Sequence, residues 1–182
     1  MASRPGLVLT AVGPDRPGLV KDLAGHVRKW GGNIEDTRMS KLGGEFAFLV
    51  LITGQDSALH QIKESIPQLE VALGVACFCK STATGAPPDD GALFEFEASG
   101  VDHPGIVEAI TEAFASRNIN VTSLSSRIEN APLTGTPTFI LEAQVHVPDG
   151  TAEQDLRLSL TQACEREDLE FRLEKALLPG AS

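Results

Sequence analysis

Apolar positions along the chain follow two alternating rhythms. "GLVLTAV" (residues 6–12) reads as a strand, and Leu19, Val20, Leu23 and Val27 then stand at i, i+1, i+4 and i+8, the spacing of one helix face. A helix is predicted from Pro17 to Trp30, with Gly31-Gly32 as its stop. "NIEDTRMSKL" and "EFAFLVLIT" read as strands joined by the hairpin turn Gly43-Gly44. A second helix is predicted from about Asp56 to Ile66, with Ala58, Leu59, Ile62 and Ile66 inward and Pro67 limiting its extension. "LEVALGVACFCKS" (69–81) supplies a last strand, so the order is βαββαβ.

The same rhythm then starts again. "GPDRPGLV" from Gly13 is nearly repeated by "GVDHPGIV" from Gly100, 87 residues on (position 100 against position 13). At this offset Leu19, Val20, Leu23 and Val27 fall on Ile106, Val107, Ile110 and Phe114, and Asn33-Ile34 falls on Asn120-Val121. The match spans a strand, a helix and the start of the next strand, which marks an internal duplication. "LFEFEAS", a helix from Pro104 to Arg117, "INVTSLSSRI", "TFILEAQVHV", a helix near Ala152 to Arg166 and "LEFRLEKAL" complete the second copy. Leu156, Leu160, Ala163 and Cys164 again give one helix face. The main difference is the connection "ENAPLTGTP", about six residues longer than the Gly-Gly turn. The predicted fold class is α+β. Two ferredoxin-like βαββαβ domains each carry an antiparallel four-stranded sheet with two helices on one face. The domains are placed at 1–82 and 92–182, with 83–91 as a Gly, Pro and Asp-rich linker.

Length and composition agree with two small domains: 182 residues, 42% hydrophobic, and no apolar run long enough to span a bilayer. The N-terminal apolar run reads as a strand rather than a signal peptide, so the expected location is cytoplasmic. Three cysteines suit a reducing compartment. Cys77 and Cys79 point to one face of a strand and read as small hydrophobes rather than metal ligands, and Cys164 reads as core. Charge is uneven. Residues 1–84 carry 9 Lys or Arg and 8 Asp or Glu, whereas residues 85–182 carry 6 and 17. A nucleic-acid partner needs a basic footprint, and the second half has the opposite.

The duplicated loop carries the candidate chemistry. Pro17 and Pro104 suit a first helical turn, and Asp15 and Asp102 suit capping of the free amides there. Gly18 and Gly105 remove a side chain where a backbone or ligand comes close. Two readings stand open: a good helix start used twice, or exposed amides that receive a small carboxylate. Asn33 and Asn120, at the start of the next strand, are either turn residues or the groups that hold the ammonium or carboxylate of a free amino acid.

The pattern D-x-P-G-[LI]-V, an apolar helix and then N-[IV], within βαββαβ, resembles the ACT domain, and both halves carry it. The first half is similar to tandem ACT proteins of the glycine cleavage system repressor type, above all along "NIEDTRMSKLGGEFAFLVLI". That resemblance implies a regulatory module that binds an amino acid, with glycine or serine as first guesses. The implied ligand-binding positions are Gly13, Asp15, Pro17, Gly18, Asn33 and Ile34, with Gly100, Asp102, Pro104, Gly105, Asn120 and Val121 in the second copy. It also implies a protein partner such as a transcription factor. Serine-sensing ACT domains can place His and Asn where this chain has Gly13 and Asp15, so serine specificity does not transfer directly.

No catalytic constellation, cofactor motif or metal-ligand spacing is recognisable, so an enzyme is not expected. His26 and His60 fall on predicted helices and His146 near a strand end, all read as surface groups, while His103 takes the place of Arg16. Phe46, Phe48, Phe94 and Phe96 read as core rather than as base-stacking aromatics. The rival reading is a ligand-free scaffold that dimerises through edge strands.

Overall fold

The computed structural model describes residues 4–85, 90–130 and 135–176. The chain divides into two compact units, 1–87 and 88–182. The first unit runs β1 (Arg4–Pro14), α1 (Leu19–Lys29), β2 (Asn33–Leu42), β3 (Glu45–Thr53), α2 (Asp56–Glu64), α3 (Ile66–Leu73) and β4 (Ala76–Thr84). The second runs β5 (Gly91–Val101), α4 (Ile106–Ala115), β6 (Asn120–Asn130), β7 (Pro137–Pro148), α5 (Glu153–Arg166) and β8 (Leu169–Lys175). The sheets have the matching orders β2-β3-β1-β4 and β6-β7-β5-β8, antiparallel throughout. This is the expected pair of ferredoxin-like sheets. Residues 131–134 of the long connection and 86–89 of the expected linker lie outside the described residues.

Each core forms where one sheet face meets its helices. In the first unit Leu7, Leu9, Phe48, Val50 and Ile52 meet Leu19, Leu23 and Val27 of α1 together with Ile62 and Leu69. In the second, Phe94, Phe96, Leu141 and Val145 meet Ile106, Ile110, Phe114, Leu156 and Leu160. Each such side chain contributes about 1.5–3 kcal/mol by leaving water. Cys164 is core, and Cys77 and Cys79 are half-buried against the first core, whose apolar cover raises their thiol values, that of Cys77 to about 11.

Several expectations need correction. Leu69 to Leu73 is helix α3, not strand, because Pro67 sits in the first turn of that helix, where no amide bond is lost. Gly74, at φ 69°, ends it, and the strand begins only at Ala76. Helices α1 and α4 begin at Leu19 and Ile106, two residues after their prolines. Val20 and Val107 do not join the buried stripe. They flank it at 42% and 40% exposure, beside rather than behind the core. Ile66 and Phe46 are half-buried against the first core, and His26 is not a plain surface group, since its Nε2 lies 2.8 Å from the Ser65 hydroxyl.

Candidate functional site

The two strand-to-helix loops share a backbone plan. Gly13 and Gly100 are next to last in β1 and β5, against the turn that leads into the last strand of each unit. A Cβ at Gly13 would lie 2.7 Å from Val75 Cγ1 and 2.9 Å from the Gly74 carbonyl oxygen. At Gly100 it would lie 2.6 Å from Leu169 Cδ2 and 2.7 Å from the Asp168 carbonyl oxygen. Protein atoms therefore fill the space beside these two glycines. Gly18 and Gly105 are different: they sit at φ 86° and 107°, in the left-handed region, and a Cβ would lie 3.9 Å from Arg16 Nη1 at Gly18 and in open space at Gly105. They are the residues immediately before α1 and α4, and their carbonyls accept the amides of Asp22 and Ala109, at 2.9 and 3.0 Å.

The aspartates do not cap. Neither helix has a side-chain cap bond at its start. Asp15 is turned to Lys41 on β2, with Oδ2 3.0 Å from Nζ, and Asp102 is exposed. The Leu19 amide of α1 donates to the Arg16 carbonyl at 3.4 Å, whereas the first-turn amides of α4 have no carbonyl one turn back and no cap and remain available to an anion.

The loops differ in what pins them. In the first, Arg16 Nη1 lies 2.9 Å from Asp22 Oδ2 and reaches the Pro17 carbonyl at 3.4 Å, an ion pair laid along the first turn of α1. In the second, His103 replaces Arg16. Its Nε2 is 3.0 Å from the Glu167 carbonyl oxygen and its Nδ1 3.2 Å from that of Pro104. Both neighbours are acceptors, so only the protonated ring, with two N–H donors, satisfies both. The Glu167 carbonyl and then the Pro104 carbonyl raise the His103 value, aided by the Glu167 and Asp102 carboxylates. A groove of about 610 Å³ opens beside this second loop, lined by His103, Pro104, Gly105, Ile106, Val107, Glu108, Thr111 and Phe139. Its walls combine apolar side chains with the free amides at the start of α4 and the Glu108 carboxylate.

Asn33 and Asn120 lie elsewhere. Asn33 pairs with Thr53, which pairs with Gly6, whereas Gly13 at the other end of β1 pairs with Phe46. That span of β1, at about 3.3 Å per residue, separates Asn33 from the loop by roughly 23 Å. Asn120 pairs with His146 and so stands level with Leu93, equally far from Gly100. Within a unit, loop and asparagine sit at opposite ends of the sheet. Ile34 and Val121 pack on the cores. Groove residues absent from the expected set are His103, Ile106, Val107, Glu108, Thr111 and Phe139. For Val107, its place one residue after a buried helix position was the available signal.

Comparison with known proteins agrees with this architecture. ACT-domain family models match residues 6–80 and 95–157. The chain belongs to the ACT-domain family, in tandem. It is 29% identical over 164 residues to the glycine cleavage system transcriptional repressors of Escherichia coli K12 and Shigella flexneri, covering 90% of this chain and 86% of each relative. Among solved structures, a protein of unknown function from Galdieria sulphuraria superposes with a TM-score of 0.78 at 27% identity, covering 97% of this chain and all of that one. One described as a candidate glycine cleavage system transcriptional repressor superposes at 0.70 and 27% identity, covering 94% and 97%. The two curated relatives and the second of these structures are named as transcriptional repressors. No helix among the described residues is long and apolar enough to cross a membrane, and those residues hold no His, Cys, Asp or Glu grouping able to take a metal ion.

Proposed function

We propose that this tandem ACT protein senses a small free amino acid, glycine or serine first, at the helix start of its second unit, and reports the ligand through contact with a protein partner such as a transcription factor in the cytoplasm. The observation that carries the reading is the groove beside Gly105, where uncapped helix amides, an open glycine face and an acidic side chain meet. The amino acid's carboxylate docks on the amides of Ile106 to Glu108, helped by the helix dipole, and its ammonium turns to Glu108. The loop of Gly13, Asp15, Pro17 and Gly18 is the weaker second candidate, because Arg16 and Asp22 already occupy its helix start with each other. Asn33 and Asn120 stand at the far end of the sheet from the loop of their own unit, so neither completes that unit's own loop site. The relatives' names support the regulatory reading and the choice of glycine.

A ligand regulates only if it binds one state of the protein better than another. Thermal unfolding against free amino acids tests the first step. At about 100 times its dissociation constant, a ligand adds about 2.7 kcal/mol of stability. A rise with glycine or serine, lost in Glu108→Lys, supports the reading. No rise with any amino acid leaves the ligand-free scaffold in its place.

A further inference from the structure

The two sheets cover one face with helices and leave the other open, and the open faces differ sharply. On the first, three aligned rows cross from β2 to β4: Asp36–Leu51–Val8–Lys80, Arg38–Leu49–Thr10–Phe78 and Ser40–Ala47–Val12–Ala76. Leu49, Val12 and Phe78 are 44%, 42% and 67% exposed. The corresponding rows of the second sheet are Ser123–Gln144–Glu95–Glu174, Ser125–Glu142–Glu97–Arg172 and Arg127–Ile140–Ser99–Glu170. Where one face places Val8, Leu49 and Phe78, the other places Glu95, Glu142 and Arg172. The second unit reaches the same fold with charges in those positions. The fold therefore does not require the apolar face of the first, and such a face marks an interaction surface.

We propose that the open face of the first sheet is a self-association surface, on which a second copy of this chain docks face to face about a twofold axis parallel to the strands. That operator preserves the rows and exchanges the strands, so β2 of one copy faces β4 of the other. Asp36 then meets the other copy's Lys80, Leu51 meets Val8, and Arg38 meets Phe78. The last contact sets a guanidinium over an aromatic face. A groove of about 240 Å³ already lies there, floored by Val8, Leu49 and Leu51 and rimmed by Asp36 and Arg38, and it receives the projecting Phe78 ring of the other copy. A twofold perpendicular to the strands would set Asp36 against Ser40 and leave Lys80 without an acid, so charge complementarity selects the parallel axis. Four strands about 4.8 Å apart and some 26 Å long offer roughly 500 Å² per copy, near the lower limit for a specific interface, so the dimer is concentration-dependent. This surface belongs to the first unit and the amino-acid groove to the second, and neither proposal depends on the other.

Sedimentation velocity of the full chain over a wide concentration range tests it. The wild type is expected to shift from monomer to dimer. Phe78→Glu, at an exposed position, should weaken association by about thirtyfold or more, with the unfolding midpoint unchanged at concentrations where the wild type is monomeric. Lys80→Glu should weaken it by roughly fivefold, and adding Asp36→Lys should restore it. A wild type that stays monomeric overturns the proposal, as does a dimer indifferent to Phe78→Glu. Should Phe78→Glu fail to fold, the Lys80 and Asp36 variants decide alone, and failure of the double swap to recover overturns the geometry.

Discussion

Arg16 and His103 occupy the same place in the two units, one residue before the loop proline, and they hold their loops by different chemistry. Arg16 carries a permanent charge and spends it on Asp22, across the first turn of α1. His103 carries a conditional charge and spends it on two backbone carbonyls, one of them at the α5–β8 turn. One helix start is thus occupied by an internal ion pair, and the other is left beside an open groove. The open sheet faces divide in the same way, apolar in the first unit and acidic in the second. Duplication supplied one scaffold twice, and substitution at matching positions separated what each copy offers. The backbone is common property; the surface chemistry is not.

The largest effect should show where the units are alike. Gly13→Ala and Gly100→Ala each force a Cβ against the turn before the last strand and should destabilise their own unit by about 2–3 kcal/mol, as overpacking does. Denaturant unfolding with hydrogen exchange assigned by unit should give similar losses. A large loss in one and none in the other would break the equivalence of the loops.

A smaller and opposite pair of effects should appear with pH. His103 has a raised value, so its stabilising contribution is whole below the ordinary 6.5 and is lost as pH rises through the raised value. His26 has a lowered value, from burial first and Lys29 second, so its contribution is whole above 6.5 and is lost as pH falls through the lowered value. Acidification should protect the amides of the second unit as pH falls through the raised His103 value towards about 6.5, and expose those of the first only below about 6.5. His103→Arg, which copies the first loop, should flatten the response of the second unit. His26→Ala, which copies Ala113 at the matching position, should flatten that of the first. Parallel responses in both units would contradict the assignment.

The smallest effect concerns the Asp15–Lys41 pair, whose side chains are 40% and 59% exposed. Lys41→Ala should cost about 0.5 kcal/mol or less, and less still in high salt. A loss well above 1 kcal/mol would mean that Asp15 does more than pair at the surface.

How much of this could be read from the chain follows from the range of each interaction. The duplication and both sheets were legible because strand alternation and helix spacing are local, and because the second copy checks the first. The contrast between open faces was legible too: "GLVLTAV" alternates apolar with apolar, whereas "LFEFEAS" alternates Glu95 and Glu97 with the buried Phe94, Phe96 and Ala98. Helix α3 was misread because proline was taken as a stop when it stands equally well in a first turn. The distance of each asparagine from the loop of its own unit was not legible, because it depends on the path of the intervening helix. A helix of 11 residues carries the chain back along the sheet, so its two ends lie at opposite edges. The tight seats of Gly13 and Gly100, and the tie of His103 to Glu167, depend on contacts about sixty residues apart in sequence, which no local pattern records.

The most direct test is an amide nitrogen–proton correlation spectrum of the full chain titrated with glycine and then with serine. One of them should shift the amides of residues 105–108, at the helix start of the second unit, with residues 18–21 changing little. Shifts confined to residues 18–21, or no shifts from either amino acid, would contradict it.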